Sequence, residues 1–373
     1  MKVLLLASSA ASLTLFRGRL IAAMIEAGHG VIGCAPEDDP RVARALAAMG
    51  AQYTTYPLER TGINPLRDLH TIWRLTRLFR RLRPDLVLAY TQKPMIYGGM
   101  ATRLAGIATF CPMVTGLGYV FTDSRQLSRR LLQKLTSTLF WIGLLHARVV
   151  FFFNEDDLEE FRRRRIVNGA QRLVRLNGSG IDLEHYRPMP LPAGPPVFLL
   201  IARLLFDKGI REYVAAARTL RRRYPEARFQ LLGPFDPNPA AIKPAEIAVW
   251  ANEGAIEYLG ETQDVRPHLA GATVYVLPSY YREGIPRTVL EAMATGRAVV
   301  TTDAPGCRDT VVPGENGFLV PPRDATALSE ALECFLREPA LARTMGEASL
   351  RLARSRFEVG AVNAVLIENL DLR

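Results

Sequence analysis

Residues 280–296, YYREGIPRTVLEAMATG, set Glu283 and Glu291 eight positions apart around a Gly-Ile-Pro turn. One carboxylate falls in a loop and the other inside the helix that follows. An ionised carboxylate accepts hydrogen bonds only, so it is the natural partner for the vicinal hydroxyls of a ribose or a sugar. The turn between the two suits an anion. Pro286 fits the first turn of a helix, where its missing N–H would be unpaired anyway. Gly284 removes a side chain where a ligand would approach the backbone. Amide groups near Arg287 and Thr288 then project from a helix N-terminus, a ready phosphate site, with the two carboxylates on either side of it. The plain alternative is a glutamate favouring the helix dipole and a second one on the surface. It leaves the Gly-x-Pro turn without a purpose, and spacing alone does not decide between the two.

A second group of charges stands in IARLLFDKGI, residues 201–210. Arg203 follows a strand-like run, and Lys208 and Gly209 precede a helical one. A guanidinium that forks oxygens and an ammonium that adds a point charge suit a diphosphate. Alone, the pair reads equally as solvated loop charges. Both features, however, fall at the ends of strands of one expected sheet.

The elements that must position these residues follow from periodicity. Val/Ile/Leu-rich runs alternate with helical-period segments: VLLLAS, LTLFRGRLIAAMIEAG, VIGCAP, DPRVARALAAMG, QYTTYPL, NPLRDLHTIWRLTRLFRRLRP, DLVLAY and, closing the first half, ARVVFFFN. Near-continuous apolar strands separated by helices are what a parallel sheet covered on both faces requires. In the long helix Leu69, Ile72, Trp73, Leu75, Leu78, Phe79 and Leu82 form the apolar stripe, with Arg74, Arg77, Arg80 and Arg81 largely between them. Residues 186–196, YRPMPLPAGPP, hold five prolines and read as a linker. The rhythm then restarts with VFLLIAR, IREYVAAARTLRRRYP, RFQLLGP, IEYLGE, ATVYVLPS and AVVTTDAP; GENGFLVPP reads as a tight turn between short strands. Two doubly wound α/β domains are expected, residues 1–190 and 191–356, with a C-terminal helix over 357–373 returning to the first.

Composition bounds the function. The 373 residues are nearly half hydrophobic and about a quarter charged, a globular balance. Four scattered cysteines and five histidines make a zinc site or a disulfide framework an unexpected reading, and reduced cytosolic thiols the expected one. The start, MKVLLLASSAAS, reads as a buried strand over Val3–Ala7 and not as a leader. STLFWIGLL is about half a membrane span, so no transmembrane helix is expected. Residues 1–190 carry 26 Lys+Arg against 15 Asp+Glu, a net +11, and residues 191–373 carry 21 against 22, a net −1. The whole basic excess lies in the first half, which suggests a polyanion or an anionic membrane surface facing it.

ARLLFDKGI, NGSGIDLEHYRP and REGIPRTVLEAMATGRAVVTTDAPGCRDTVVPGENGFLV together resemble the retaining family-4 nucleotide-sugar glycosyltransferases of the GT-B fold, in order and spacing over most of residues 175–325. The family's Glu-x7-Glu pair falls on Glu283 and Glu291. LTLFRGRLI, YTQKPMIYGGMATRLAGI, VTGLGYVF and FFFNEDDLEEF resemble the branch that extends lipid-linked oligosaccharides with UDP-hexoses or UDP-N-acetylhexosamines. The resemblance implies two Rossmann-like domains facing each other across a cleft. It implies that Arg203, Lys208 and the backbone of Gly284, Ile285, Pro286, Arg287 and Thr288 hold the donor diphosphate. Glu291 would take the ribose hydroxyls, and Glu283 would serve catalysis at the transferred sugar. Lys93, Tyr97, Thr115 and Gly116 would line the acceptor side. The histidine often found in the first-domain loop is absent from VTGLGYVF, so no first-domain base is assigned.

No Asp-x-Asp occurs in the chain. With cations and helix-end amides available for the leaving diphosphate, transfer without a metal or other cofactor is expected. The expected partners are a UDP-sugar, a polyprenyl-diphosphate-linked sugar and an anionic membrane surface, with the protein cytoplasmic and peripheral on the inner face of the cell membrane. Two other classes compete. A sugar-nucleotide epimerase of the same architecture would turn over without an acceptor. A basic nucleic-acid- or membrane-binding protein without catalysis would use RRLRP, RQLSRR and FRRRRI. No helix-turn-helix or zinc spacing accompanies those runs, so nucleic acid is not an expected partner. The Trp/Phe/Leu-rich helix beside RQLSRR fits an anionic headgroup layer, and equally fits a core.

Overall fold

A computed structural model of the chain describes residues 1–59, 62, 64–121, 127–238 and 240–372. Arg125 and Gln126 of the RQLSRR run, and Arg373, lie outside the described residues. The chain divides into two compact units, Met1–Ser179 with Val359–Arg373, and Gly180–Glu358.

Unit 1 is built on a parallel sheet of β1 (Lys2–Leu6), β2 (Gly30–Ala35), β3 (Gln52–Thr55), β4 (Leu86–Tyr90), β5 (Thr109–Val114), β6 (Val149–Phe152) and β7 (Arg172–Arg175), in the order β3-β2-β1-β4-β5-β6-β7. Val3–Leu6 and Leu86–Ala89 are fully buried, as strands covered by helices on both faces must be. β7 is a strand that periodicity did not reveal, because RLVR is too short and too charged to register.

Asn64 caps the helix Pro65–Leu82 by accepting from the Arg67 amide at 3.3 Å, a contact worth about 1 kcal/mol. Its apolar stripe divides in two. Leu75, Leu78 and Phe79 face the core, while Leu69 and Trp73 are 64% and 48% exposed. The helix Leu127–Leu144 divides likewise: Phe140 and Leu144 are fully buried, whereas Leu131 and Trp141 are exposed. Core packing therefore accounts for part of LFWIGLL and not for Trp141. No helix of the described residues is long and apolar enough to cross a membrane.

Unit 2 repeats the plan with β8 (Val197–Ile201), β9 (Arg228–Leu232), β10 (Glu257–Tyr258), β11 (Val274–Leu277), β12 (Ala298–Thr302) and β13 (Gly317–Val320), all parallel, in the order β10-β9-β8-β11-β12-β13. GENGFLVPP forms no hairpin. Gly317–Val320 pairs parallel to β12 as the edge strand, and the turn before it closes by a Gly314 amide bond to the Gly317 carbonyl.

The division between units falls eleven residues ahead of Pro190, and the proline-rich segment is fastened to unit 2. The Met189 amide donates to the Thr295 carbonyl at 3.2 Å. The fully buried Arg297 donates from Nη2 to the carbonyls of Met189 and Pro190, at 3.1 and 2.9 Å. At the other end of the chain the helix Val359–Asn369 belongs to unit 1, where Arg148 pairs with Asp371.

Candidate active site

In a doubly wound sheet the strand order reverses between two central parallel strands, and the loops leaving their carboxyl ends separate to form a crevice. In unit 2 those strands are β8 and β11. Arg203, Lys208 and Gly209 leave β8; Ser279, Glu283 and Gly284 leave β11 and lead into the helix Arg287–Ala294. The charges singled out in the sequence thus share one sheet edge.

Backbone contacts lock these loops together. A single turn, Phe206–Lys208, follows β8, and the Asp207 carbonyl accepts from the Tyr280 and Tyr281 amides at 2.9 and 3.0 Å. Gly209 closes the turn at φ 73°, and a Cβ there would stand 2.0 Å from the Pro278 carbonyl oxygen. Gly306 meets the other side of the loop: at φ 77°, its Cβ would stand 2.0 Å from the Gly284 carbonyl oxygen. Only glycine permits both approaches.

Lys208 and Glu283 are ion-paired, with side chains 13% and 12% exposed. The Ser279 hydroxyl donates to the same Glu283 oxygen at 2.9 Å, and the Lys208 ammonium lies 4.9 Å from the Tyr281 ring centroid. A cation so placed is held at the loop mouth before any ligand arrives, with its charge already compensated. Arg203 is in a different setting. It is half exposed and donates from Nη1 to Asp236 at 2.7 Å, from the loop that leaves β9. Each cation thus has its own carboxylate.

Glu291 is 6% exposed. The Tyr186 hydroxyl and Arg287 Nε donate to its Oε1, at 2.9 and 3.0 Å. Burial pushes its carboxyl above the usual carboxylate range, against the pull of Arg287 and Tyr186. Thr288 is hydrogen-bonded to the buried Tyr275 hydroxyl at 2.6 Å, and no side chain caps the helix at Pro286. That end of the helix presents the positive end of its dipole. Ile285 is buried beneath the turn. Sequence reasoning missed Ser279, Asp236 and Tyr186. The signal for Tyr186 lay in NGSGIDLEHYRP, a run that carried the family resemblance without assigning Tyr186 a role.

In unit 1 the switch point lies between β1 and β4. Thr91 follows β4 at φ 69° and donates its hydroxyl to Ser8 Oγ at 2.9 Å. Lys93, two residues on, pairs with Asp68 at 3.1 Å, both side chains largely buried. Tyr97 is 6% exposed, and burial beside Asp68 raises its phenol well above the ordinary range. Thr115 and Gly116 follow β5, Gly116 at φ 115°. Among the described residues no group of three His, Cys, Asp or Glu side chains could hold a metal ion.

Unit 2 thus groups cations and carboxylates at its switch point, the place where doubly wound sheets take their ligands. The description "Glycosyl transferases group 1" matches residues 195–338, and "Glycosyl transferase 4-like domain" matches residues 16–178. The chain belongs to this glycosyltransferase family. It is 27% identical over 354 residues, 91% of each protein, to the N,N'-diacetylbacillosaminyl-diphospho-undecaprenol alpha-1,3-N-acetylgalactosaminyltransferase of Campylobacter jejuni. It is 24% identical over 288 residues, 73% of this chain and 71% of the other, to the UDP-Gal:alpha-D-GlcNAc-diphosphoundecaprenol alpha-1,3-galactosyltransferase of Escherichia coli. In fold it is similar to Anabaena HepE solved with UDP and glucose, with a TM-score of 0.80, 19% identity and coverage of 100% and 99%. These relatives are transferases by name, and the epimerase reading has no support among them.

Proposed function

We propose that the protein transfers a hexose or N-acetylhexosamine, with retention of configuration, from a UDP-sugar to a polyprenyl-diphosphate-linked saccharide in bacterial surface polysaccharide or glycoprotein glycan assembly. The observation that carries the reading is the grouping of Lys208, Glu283, Arg203 and Glu291 at the switch point of unit 2, in a chain similar along most of its length to a transferase named for an undecaprenyl-diphosphate sugar.

In this reading Arg203, Lys208 and the turn Gly284–Thr288 hold the diphosphate. Charge grows on the leaving oxygen as the glycosidic bond breaks, and fixed cations with a helix N-terminus stabilise it without reorganisation. The acceptor hydroxyl attacks from the face the diphosphate leaves, and the departing phosphate takes its proton. Glu283 orients the transferred sugar and sets the position of Lys208. Glu291 takes the ribose. No metal or other cofactor is required in this reading, since Arg203, Lys208 and the helix N-terminus offer the donors that the leaving diphosphate needs. Lys93, Tyr97, Thr115 and Gly116 serve the acceptor from unit 1.

The same reading places the protein at the cytoplasmic face of an anionic membrane, with no role for nucleic acid. Unit 1 supports this with outward Leu66, Leu69 and Trp73 on one basic helix and outward Leu131, Leu135 and Trp141 on another. The test is to offer a panel of radiolabelled UDP-sugars to the purified protein with membrane extract as acceptor. Label should enter the lipid fraction with one sugar and only when acceptor is present. Conversion of a UDP-sugar in the absence of any acceptor would overturn the assignment.

A further inference from the structure

We propose that Tyr186 and Arg287 are positioning residues for Glu291, holding one carboxylate oxygen so that the other is presented to the ribose hydroxyls of the nucleotide. The inference rests on the reading of Glu291 as the ribose-binding carboxylate and adds to it the groups that aim and ionise it.

Both donors reach the same atom. Tyr186 Oη and Arg287 Nε lie 2.9 and 3.0 Å from Oε1. Oε2 has no hydrogen-bond partner among the described residues and is not one of the buried polar atoms left unsatisfied, so it reaches the surface of the site. A buried carboxylate with one oxygen saturated and the other open is set to accept from a ligand diol. If both oxygens were engaged the diol would have to displace a protein donor; if neither were, the carboxyl would rotate and protonate more easily.

Tyr186 is brought to this place by its own segment. Asp182 Oδ1 accepts from the Glu184 and His185 amides at 3.0 and 3.1 Å, and the Tyr186 amide closes on the Asp182 carbonyl at 2.9 Å. Beyond it Arg297 grips the carbonyls of Met189 and Pro190. The segment is therefore fixed on both sides of Tyr186, whose ring is 8% exposed. Two unpartnered nitrogens of Arg297, Nε and Nη1, are also sealed there, so the segment cannot shift without uncovering a buried cation.

The groups that face Glu291 are Arg287 on its own helix, Tyr186 from the anchored segment, and Tyr275 from β11; Arg266 faces Tyr186 from outside. Burial raises the Glu291 carboxyl, and the bonds from Arg287 and Tyr186 oppose that rise. Loss of the Tyr186 hydroxyl removes a donor to the ionised form, so the carboxyl rises further and protonates at higher pH.

The experiment is calorimetric binding of UDP and of 2',3'-dideoxy-UDP from pH 5 to 8 to the parent, Tyr186→Phe and Glu291→Gln. Affinities are compared as parent-to-variant ratios at each pH, which cancels protonation of the UDP phosphate. Tyr186→Phe should bind UDP nearly as the parent does at pH 8. Its acid limb should stand higher by about one pH unit, the effect of losing one hydrogen bond to a carboxylate. Its preference for UDP over the dideoxy analogue should shrink as pH falls. Glu291→Gln should lose most of that preference at every pH. A Tyr186→Phe ratio that is constant with pH, or equal losses for both nucleotides, would assign Tyr186 a purely structural role and overturn the inference while leaving the ribose reading intact. Full retention of the ribose preference in Glu291→Gln would overturn that reading, and the inference with it.

Discussion

The two units share a doubly wound plan and differ in what they do with charge. At the switch point of unit 2, Lys208, Glu283 and Glu291 are drawn into bonded, largely buried positions, and the loops that carry them touch backbone to backbone at Gly209 and Gly306. Unit 1 has a comparable pair, Lys93 with Asp68, beside the end of β4. Eight of its basic residues stand instead on the helices Pro65–Leu82 and Leu127–Leu144, which also carry outward Leu and Trp side chains. A preorganised, low-dielectric edge suits a small ligand whose charges must be met at fixed points. A basic, partly apolar face suits an extended anionic surface met at many equivalent points. If the proposed function holds, one fold serves two kinds of recognition here, and substitutions in the two units should fail in different ways.

The largest effect is expected at Lys208. Lys208→Ala removes a charge-assisted contact worth roughly 1.5–3 kcal/mol to UDP, an affinity loss of about tenfold or more. It also leaves Glu283 buried without its cation, a change that costs about 3 kcal/mol of stability for pairs of this sort. Lys208→Met with Glu283→Gln should recover the stability, measured by urea unfolding, and not the affinity. UDP affinity in Lys208→Ala equal to the parent's would remove the diphosphate role.

Glu283 and Glu291 should then part company. Glu291→Ala should weaken UDP itself, because the ribose is present in product and donor alike. Glu283→Ala should depress turnover more than UDP affinity, because in the proposed reading Glu283 orients the sugar and Lys208, though no longer held by its carboxylate, still carries its charge. Calorimetry with UDP beside initial rates with donor separates the two. Equal losses of UDP affinity would mean that Glu283, through Lys208, is only a part of the diphosphate site.

Much of this edge was legible in the sequence, and the reasons are local. β8 and β11 are unbroken apolar runs, and Gly-Ile-Pro marks a strand-to-helix turn whatever surrounds it, so the positions of Lys208, Glu283 and Glu291 at one sheet edge followed from strand order. The partners did not. Lys208 meets Glu283 across 75 residues and Tyr186 meets Glu291 across 105, and no local period records a pairing of that span. Arg297 shows the same limit. A lone arginine before AVV reads as a surface charge, yet it is fully buried and turns a proline-rich segment into part of unit 2. The long helix Pro65–Leu82 is amphipathic, as its period indicates, but the stripe alone did not separate its buried members, Leu75, Leu78 and Phe79, from the exposed Leu69 and Trp73.

A smaller effect, graded rather than all-or-none, is expected on the outer faces of unit 1. Each basic residue near an anionic bilayer contributes about 1 kcal/mol. Neutralising Arg129, Arg130 and Lys134 together should therefore release the protein from anionic liposomes at moderate salt. Activity on a lipid-linked acceptor should fall well below activity on a short water-soluble one. UDP affinity should not move, since these residues belong to the other unit. Trp73→Ser should act in the same direction but less strongly, and its effect should persist at high salt, where charge is screened and apolar burial is not. Liposome co-sedimentation across a salt series measures both. If the triple variant bound liposomes and used lipid acceptor like the parent, the basic helix would be a solvated surface only.

The smallest effect expected is none at all, on removal of metal. A divalent ion that bridges a diphosphate is held by carboxylates left free for it, whereas three carboxylates at this edge already take bonds from cations: Glu283 from Lys208, Glu291 through Oε1 from Arg287, and Asp236 from Arg203. An ion entering there would have to displace a cation from its carboxylate and then do the work that cation does on the leaving oxygen. In the proposed reading the unit meets the diphosphate with side-chain charge in place of metal charge, and its rate should be the same in excess EDTA as in manganese or magnesium. The check is an initial-rate series in which chelator, then each metal, is added to one preparation. Activity abolished by EDTA and restored by either ion would show that the ion pairs at this edge open to admit a metal, and would reassign Glu283 from orienting the sugar to binding the ion.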